Sequence, residues 1–578
     1  MKKRAMAGLL VFLLVLSMTA AGCGKKSPQE TEKTPSSGKQ TEEDVNGDTQ
    51  DKENGSNEGT SDQDGKPEDT QGSGQDALPL CEEKQTLSFW FTWSNSYIES
   101  PNETPGAKKM EELTNVHIDY LPVASSEATE KFALMLASGN HPDMMLDFGY
   151  PGGGDAGIEE GVFVRLNDYV NEEYMPNYSK FLKDDAIRKD TITDSGNIYA
   201  IYAMATNNFA EPDAENPWAG LMVRRDWLQD LNMETPVTIE DWEKMLTAFK
   251  EEKGAEAPLM IGSNGIIDGG NTIGTQQDEG YFISAYGILS EFYQKDGKVM
   301  YGPIQPEYKE YLTLMNDWYD KGLIDPNFMS NNAGVFMPND YSATGKTGAG
   351  RGHFIASANF YALNGMSEDE DFFLQGVQAP VLNEGEVAQA RNVNNPVREA
   401  FAISTSCKNV ELAIRWLDYQ FTREATLLNY YGVEGETYTI NPETGIAEYN
   451  EWVLQNPDGY TAVDAHYLVG RGQGVGAFDY TKEFQVQDDS FFEAGRTWAK
   501  DGISLKLPDK MSMTAEEGSR FNSSYIDIQT YVQENTVKFI TGAKPLGEFD
   551  AFVDGILAMD IEECVALKQA ALDRYNAR

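Results

Sequence analysis

The stretch from Lys131 to Tyr150, KFALMLASGNHPDMMLDFGY, constrains the fold more than any other: it contains an apolar helix, a stop, a buried strand and an open rim in succession. Phe132 to Leu136 is an apolar run that reads as too rich for a surface helix. Ser138, Gly139 and Asn140 supply the stop that helices commonly use, and Pro142 cannot continue the helix. Met144 to Leu146 is then a short apolar run after a break, the pattern of a strand buried on both faces of a parallel sheet. It ends in polar and aromatic Asp147, Phe148 and Tyr150. Ligands of open α/β sheets bind beyond the carboxyl ends of the strands, so Asp147 and Tyr150 are candidate site residues.

The rest of the chain fits around this unit. TLSFWFTW from Thr86 alternates as a first strand and opens at Trp93, Ser94 and Asn95; Ala107–Leu113 reads as a helix and VHIDYL, Val116–Leu121, as a second strand. Strand, helix, strand, helix, strand is the order of a parallel α/β lobe. A second alternation begins at Leu221–Val223. Thr238, with Asp241 three residues on, is placed to cap a helix running through Phe249. Glu307–Tyr319 reads as a further helix, His353–Ala358 as a strand running into Asn359 and Phe360, Phe401–Ser404 as a strand and Glu411–Phe421 as a helix. Helices around Ile526–Thr541 and Ala551–Tyr575 finish the chain. Arg224, Arg225 and Asp226 read as structural, Trp227 and Trp242 as packing, and Gly470–Gly476 as a flexible turn.

The N-terminus gives an address. Lys2, Lys3 and Arg4 precede an apolar stretch, Leu9–Leu16, too short to span a bilayer, and the small residues Thr19–Gly22 follow. Small residues directly before Cys23 resemble a bacterial lipobox, which implies that Cys23 carries lipid, although Ala20 stands where that motif usually has Leu. Residues 24 to 84 are rich in Gly, Ser, Thr, Asn, Gln, Pro and acids and hold no aromatic residue, the composition of a disordered tether. Four cysteines this far apart form no disulfide framework. The formal net charge of −47, most of it beyond the tether, argues against nucleic acid or anionic lipid as a partner of any basic face.

The segments KMEELTNVHIDY, FALMLASGNHPDMM, GVFVRLNDYV, GNIYAIY, LMVRRDWLQDL, TIEDWEKMLTAFK, DGKVMYG, KGLIDPNF, CKNVELAIRWLDYQFTREA, YYGVEGETY and FITGAKPL resemble extracellular solute-binding proteins of ABC importers, in the family 1 lipoprotein type that serves oligosaccharide uptake. The resemblance runs in order from about residue 85 to 578. It implies an α/β, two-lobe periplasmic-binding-protein-like fold of type II, with hinge strands and a central ligand cleft. The expected organisation is a signal peptide over 1–22, a lipidated Cys23 and acidic tether over 23–84, lobe 1 over 85–205 plus 350–395, and lobe 2 over 206–349 plus 396–578. The implied partners are an oligosaccharide, the transmembrane subunits of a permease, and the membrane through the N-terminal lipid. The chain is expected to be a monomer, since a receptor that closes and docks needs both faces free. Some relatives carry a calcium loop after the helix that ends here near Lys250; the matching Glu251–Ala257 lacks alternating Asp or Asn, so no calcium is expected at that loop, which leaves weak metal binding by acids elsewhere open; no metal ligand is singled out and no cofactor is expected.

A sugar offers apolar C–H faces and polar edges, so its binder needs flat aromatics and amide or carboxylate groups. Trp93, Tyr150, Trp218 and Phe360 are the stacking candidates, with Asn95, Asp147, Asn207, Asn208 and Asn359 as polar partners; each of these is also a residue type that serves packing or capping. The enzyme alternative is a glycan-degrading pair of carboxylates, but no local pattern selects two acids. His117, His141, His353 and His466 show no metal-ligand spacing, there is no GxSxG, and GRGQGVG lacks the lysine of a phosphate loop. A peptide or other solute is the alternative ligand for the same fold.

Overall fold

A computed structural model describes residues 78–93, 95, 97–205, 217, 219–260, 280–329, 345–353, 369, 371–391, 395–472, 474–486 and 489–578. Eleven strands matter for the site: β1 (Gln85–Thr92), β2 (Val116–Val123), β3 (Met144–Leu146), β4 (Ala200–Met204), β5 (Ala219–Arg224), β6 (Leu259–Met260), the hairpin β7 (Phe292–Lys295) and β8 (Lys298–Tyr301), β9 (Ala349–His353), β10 (Leu374–Val377) and β11 (Val397–Ile403). Nine of them build two mixed sheets, while β7 and β8 pair only with each other. The first has the order β2-β1-β3-β11-β4, with β1 parallel to β2 and β3 while β11 runs antiparallel to both its neighbours. In the second, β10-β5-β9-β6, β5 is antiparallel to β10 and β9, and β6 is parallel to β9.

β1 is central because its sequence can be buried on both sides. Leu87, Phe89 and Phe91 face one core as their alternation predicts, and Trp90 is buried on the other face, 5.4 Å from the ring of Phe132. Phe89 meets Phe401 edge-on at 5.6 Å and Trp416 at 6.1 Å, so β11 and the helix Val410–Tyr419 close over it. Each such side chain removed from water contributes about 1.5–3 kcal/mol. The second core centres on Phe282, whose ring sits edge-on to Trp242 at 5.2 Å and Trp318 at 5.5 Å. Its helix Ile239–Lys253 begins at the expected Thr238–Asp241 capping box and stops at left-handed Gly254. Glu251, Glu252 and Lys253 are thus helix end rather than loop.

The helix Ala128–Ser138 stops at left-handed Gly139, as expected, but it is a surface helix after all. Phe132 is 3% exposed and Leu134 58% exposed, because only the stripe through Ala128 and Phe132, four positions apart, is buried, whatever the total apolar content. Met144–Leu146 is fully buried, as expected. Arg224 is structural: its guanidinium lies between the rings of Trp227 and Phe372, at 4.6 and 4.4 Å, and pairs with Asp226 and Asp369. Trp227 and Trp242 are both buried packing residues.

Two boundaries differ from expectation. The fold begins before residue 85: Leu80 is buried, its N–H donates to Thr114 O at 2.9 Å, and Arg415 Nη1 donates to Leu80 O at 2.6 Å. Strand pairing also distributes the later segments the other way round. β9 and β10 flank β5, so the described strands within 350–395 join the second sheet, whereas β11 and the helices Val410–Tyr419 and Arg423–Tyr430 join the first core. The helices Ala515–Ile540, Phe549–Leu557 and Ile561–Ala577 pack on the second core. The Gly470–Gly476 region is no loose turn; it wraps buried Arg471, whose Nη2 donates to Val475 O at 2.6 Å and to Gln420 Oε1 at 3.3 Å.

The two cores also meet through a seam of charges. Arg574 Nε donates to Asp194 Oδ2 at 2.7 Å and Arg578 Nη2 to Asp194 Oδ1 at 2.6 Å, while Tyr575 OH donates to Asp190 Oδ1 at 2.6 Å. Arg574 also pairs with Glu517 of its own lobe. Beside them, Lys510 donates to Arg398 O at 2.9 Å and lies 5.3 Å from the ring of Tyr202. Burial pushes the Lys510 ammonium down, with Asp509, Glu399 and Asp190 opposing that shift.

Candidate ligand site at the carboxyl ends of the first sheet

β1, β3 and β4 run the same way, so their carboxyl ends share one edge of the first sheet. Four expected site residues stand there among the described ones, and they divide into two pairs. Trp93 follows β1 directly: its N–H donates to Val123 O at 2.9 Å, and its half-buried side chain leans on the first core. Asn95 is half-buried, and its amide is committed. Oδ1 accepts from the N–H of Tyr97 at 2.8 Å and of Ile98 at 3.2 Å, and Nδ2 donates to Tyr467 O at 3.2 Å. Asn95 therefore fixes the loop after β1 to a segment 372 residues away.

Asp147 and Tyr150 serve the loop after β3 in a similar way. Asp147 Oδ1 accepts from the N–H of Gly149 and Tyr150, at 3.1 and 2.8 Å, and Oδ2 accepts from Tyr199 OH at 3.0 Å. Burial pushes the Asp147 carboxyl up, while those donors and Lys510 oppose the shift. With both oxygens engaged, Asp147 holds the loop shape. Tyr150 corrects the expectation of a stacking residue: it is buried, its ring centroid lies 4.9 Å from that of Phe163, and its OH donates to Glu160 Oε2 at 2.7 Å. A face covered by another ring and a hydroxyl tied to an acid leave it as packing. Burial and the Glu160 carboxylate push its phenol up to about 12. Asn207, Asn208, Trp218, Asn359, Phe360 and Cys23 lie outside the described residues.

The structure adds what the sequence did not offer. Tyr97, Tyr460 and Tyr467 are all exposed beside Asn95, and the rings of Tyr97 and Tyr460 meet at 4.9 Å and 65°. The segment carrying the last two also docks on the helix Pro105–Thr114, whose Gly106 N–H donates to Val469 O at 2.9 Å. Nothing local in the sequence pairs Tyr97 with Tyr460; only the abundance of aromatics near strand ends hinted at such a rim.

Away from this edge, a cavity of about 370 Å³ lies where residues 78–80 meet the first lobe, lined by Leu78, Leu80, Asn177, Arg415 and Tyr419 among others. Its Asp418 carboxylate is occupied by the backbone and amide N–H of Asn177 and the N–H of Tyr178. Among the described residues no group of three or more His, Cys, Asp or Glu is placed to hold a metal ion, and no helix is long and apolar enough to cross a membrane. Cys81, Cys407 and Cys564 are free thiols, and burial pushes the latter two up to about 11, which makes them poor nucleophiles.

Residues 100–426 match the pattern of the bacterial extracellular solute-binding proteins, over more than half of the chain. The chain belongs to that family. Among curated relatives, the fructooligosaccharide ABC transporter substrate-binding protein FusA of Streptococcus pneumoniae serotype 4 is 25% identical over 522 residues, 86% of this chain and 92% of its own length. The polygalacturonan/rhamnogalacturonan-binding protein YtcQ of Bacillus subtilis is 22% identical over 79% of this chain and 86% of its own. Among solved structures, a solute-binding protein of Bifidobacterium longum infantis described as binding HMO superposes with a TM-score of 0.68 at 18% identity, over 85% of this chain and 99% of its own. The family member described here therefore has the two-lobe α/β fold, with each sheet organising one lobe, and it is an extracellular binding protein.

Proposed function

We propose that this chain is the substrate-binding component of an ABC importer, capturing an oligosaccharide between its lobes and passing it to the permease's transmembrane subunits. We further propose that lipid on Cys23 ties it to the outer face of the cell membrane, with the acidic segment that follows as a tether. The observation that carries the reading is the match to FusA, which spans most of both chains rather than a shared lobe. Supporting it, the carboxyl edge of the first sheet presents a tryptophan and exposed tyrosines, the residues that stack on sugar C–H faces. The chain's own residues do three things in this account. Trp93 offers a ring at the end of β1, Asn95 and Asp147 hold the two loops that shape the edge, and the two lobes bring the second wall of the cleft to the ligand.

The test is calorimetric titration of the purified protein with neutral and acidic oligosaccharides, with peptides as controls and the sugars analysed afterwards. Saturable binding of one glycan recovered intact is the expected result. Binding of a peptide and of no sugar would overturn the substrate class, and conversion of the glycan into products would overturn the receptor reading.

A further inference from the structure

We propose that Tyr97, Tyr460 and Tyr467 form an outer sugar subsite that continues the cleft beyond Trp93, so that the ligand is an oligosaccharide long enough to leave the cleft. This inference rests on the oligosaccharide reading above and sharpens it into a statement about chain length.

Three observations converge on it. First, the rings are held in place rather than merely exposed: Tyr97 and Tyr460 are 42% and 36% exposed, yet their centroids lie 4.9 Å apart at 65°, an edge-to-face contact that fixes one ring by the other. Tyr467, also 42% exposed, is braced by His466 with centroids 3.8 Å apart. Second, the platform is continuous with the candidate site. Asn95 bonds to the N–H of Tyr97 and to the carbonyl of Tyr467, two residues along the chain from Trp93, which follows β1 at the carboxyl edge of the sheet. Third, the residue type suits a sugar. A tyrosine presents an apolar face for C–H groups and a hydroxyl for ring oxygens and hydroxyls, and it surrenders only two torsions when it is fixed. The occupant that matches is the next ring of a chain already seated at Trp93. Asn95 acts here as a positioning residue, joining the two segments that carry the rings.

The test is a length series of fructo-oligosaccharides and of galacturonate oligomers, disaccharide to hexasaccharide, titrated calorimetrically into the wild-type protein and into Tyr97→Ala, Tyr460→Ala and Tyr97→Phe. In the sugar class that binds, the alanine variants are expected to weaken the longest oligomer about tenfold and leave the shortest within about twofold, with Tyr97→Phe keeping most of the affinity. Equal loss at every length, or none at any length, overturns the outer subsite, as does unchanged sugar binding accompanied by loss of uptake in cells, which would make the rings a permease contact. If the wild-type protein binds no sugar in either series, the oligosaccharide reading falls and takes the subsite with it. If it binds and the variants behave like wild type, only the subsite falls. Because the rings are exposed, thermal melts of the variants are expected to match wild type, which separates lost contact from lost fold.

Discussion

The rim at the end of β1 and the seam between the lobes use opposite chemistry within one molecule. At the rim, Trp93, Tyr97 and Tyr460 present rings, and the polar groups among them, Asn95 and Asp147, turn inward to hold loops. At the seam, Arg574, Arg578, Asp194 and Glu517 are spent on one another, and Asp190 accepts from the Tyr575 hydroxyl. Partly exposed rings beside satisfied amides suit an outside partner that brings its own hydroxyls; charges satisfied in pairs suit a junction that must keep its geometry. The chain as a whole is strongly acidic, and at this junction Arg574 and Arg578 meet the carboxylate of Asp194.

The comparison breaks most visibly at the seam. Asp194→Ala leaves Arg574 and Arg578 facing each other without their shared acceptor, and is expected to cost on the order of 3 kcal/mol in chemical denaturation, with the loss shrinking in high salt. A loss no larger than that of an exposed pair would make the seam ornamental. A somewhat smaller effect comes from Asp501, whose carboxylate accepts from Ala379 N–H and Gln378 Nε2 with no cation bonded to it; burial pushes it up to about 6. The folded protein then holds that proton more tightly than the unfolded chain, so this group lowers stability as pH rises from about 4 to 6, by on the order of 2–3 kcal/mol, and Asp501→Asn is expected to flatten that slope. Glu517 has the reverse sign. Although burial works against it, the Arg574 guanidinium and the Thr514 N–H hold it below the usual carboxylate range, so its contribution is present above the unfolded value and is lost as pH falls. At the rim, Trp93→Ala is expected to weaken a bound oligosaccharide about tenfold with little change in melting, since one stacked ring is worth about 1.4 kcal/mol. Smallest of all, the affinity for a neutral oligosaccharide is expected to change less than about twofold between low and high salt, because rings and amides are not screened. A steep salt dependence would put the seam, not the rim, in charge of binding.

Much of the fold was legible because it rests on local pattern. Met144–Leu146 reads as a buried strand, Thr238 with Asp241 as a helix start and Gly139 as a stop, and the structure has each of them. What escaped was set by partners distant in sequence. Leu134 lies in an apolar run yet faces solvent, because the helix buries only a single stripe. The assignment of β9 and β10 to the second sheet depends on their antiparallel register with β5, which no periodicity announces. The same limit held at the site. Trp93 could be placed by reading the end of β1, and Asp147 by reading the end of β3. That Asp147 spends both oxygens on its loop, that Tyr150 turns to Glu160, and that Tyr97 meets Tyr460 are facts of folding alone.

Hydrogen–deuterium exchange of the protein with and without a saturating oligosaccharide tests the central claim most directly, because it reads the rim and the seam in one experiment. The account predicts new protection over residues 93–98, 147–150 and 460–467, with the seam at 189–194 and 574–578 nearly unchanged. Protection confined to the seam, or to the cavity around Arg415 and Tyr419, with the rim exchanging as before, would contradict it.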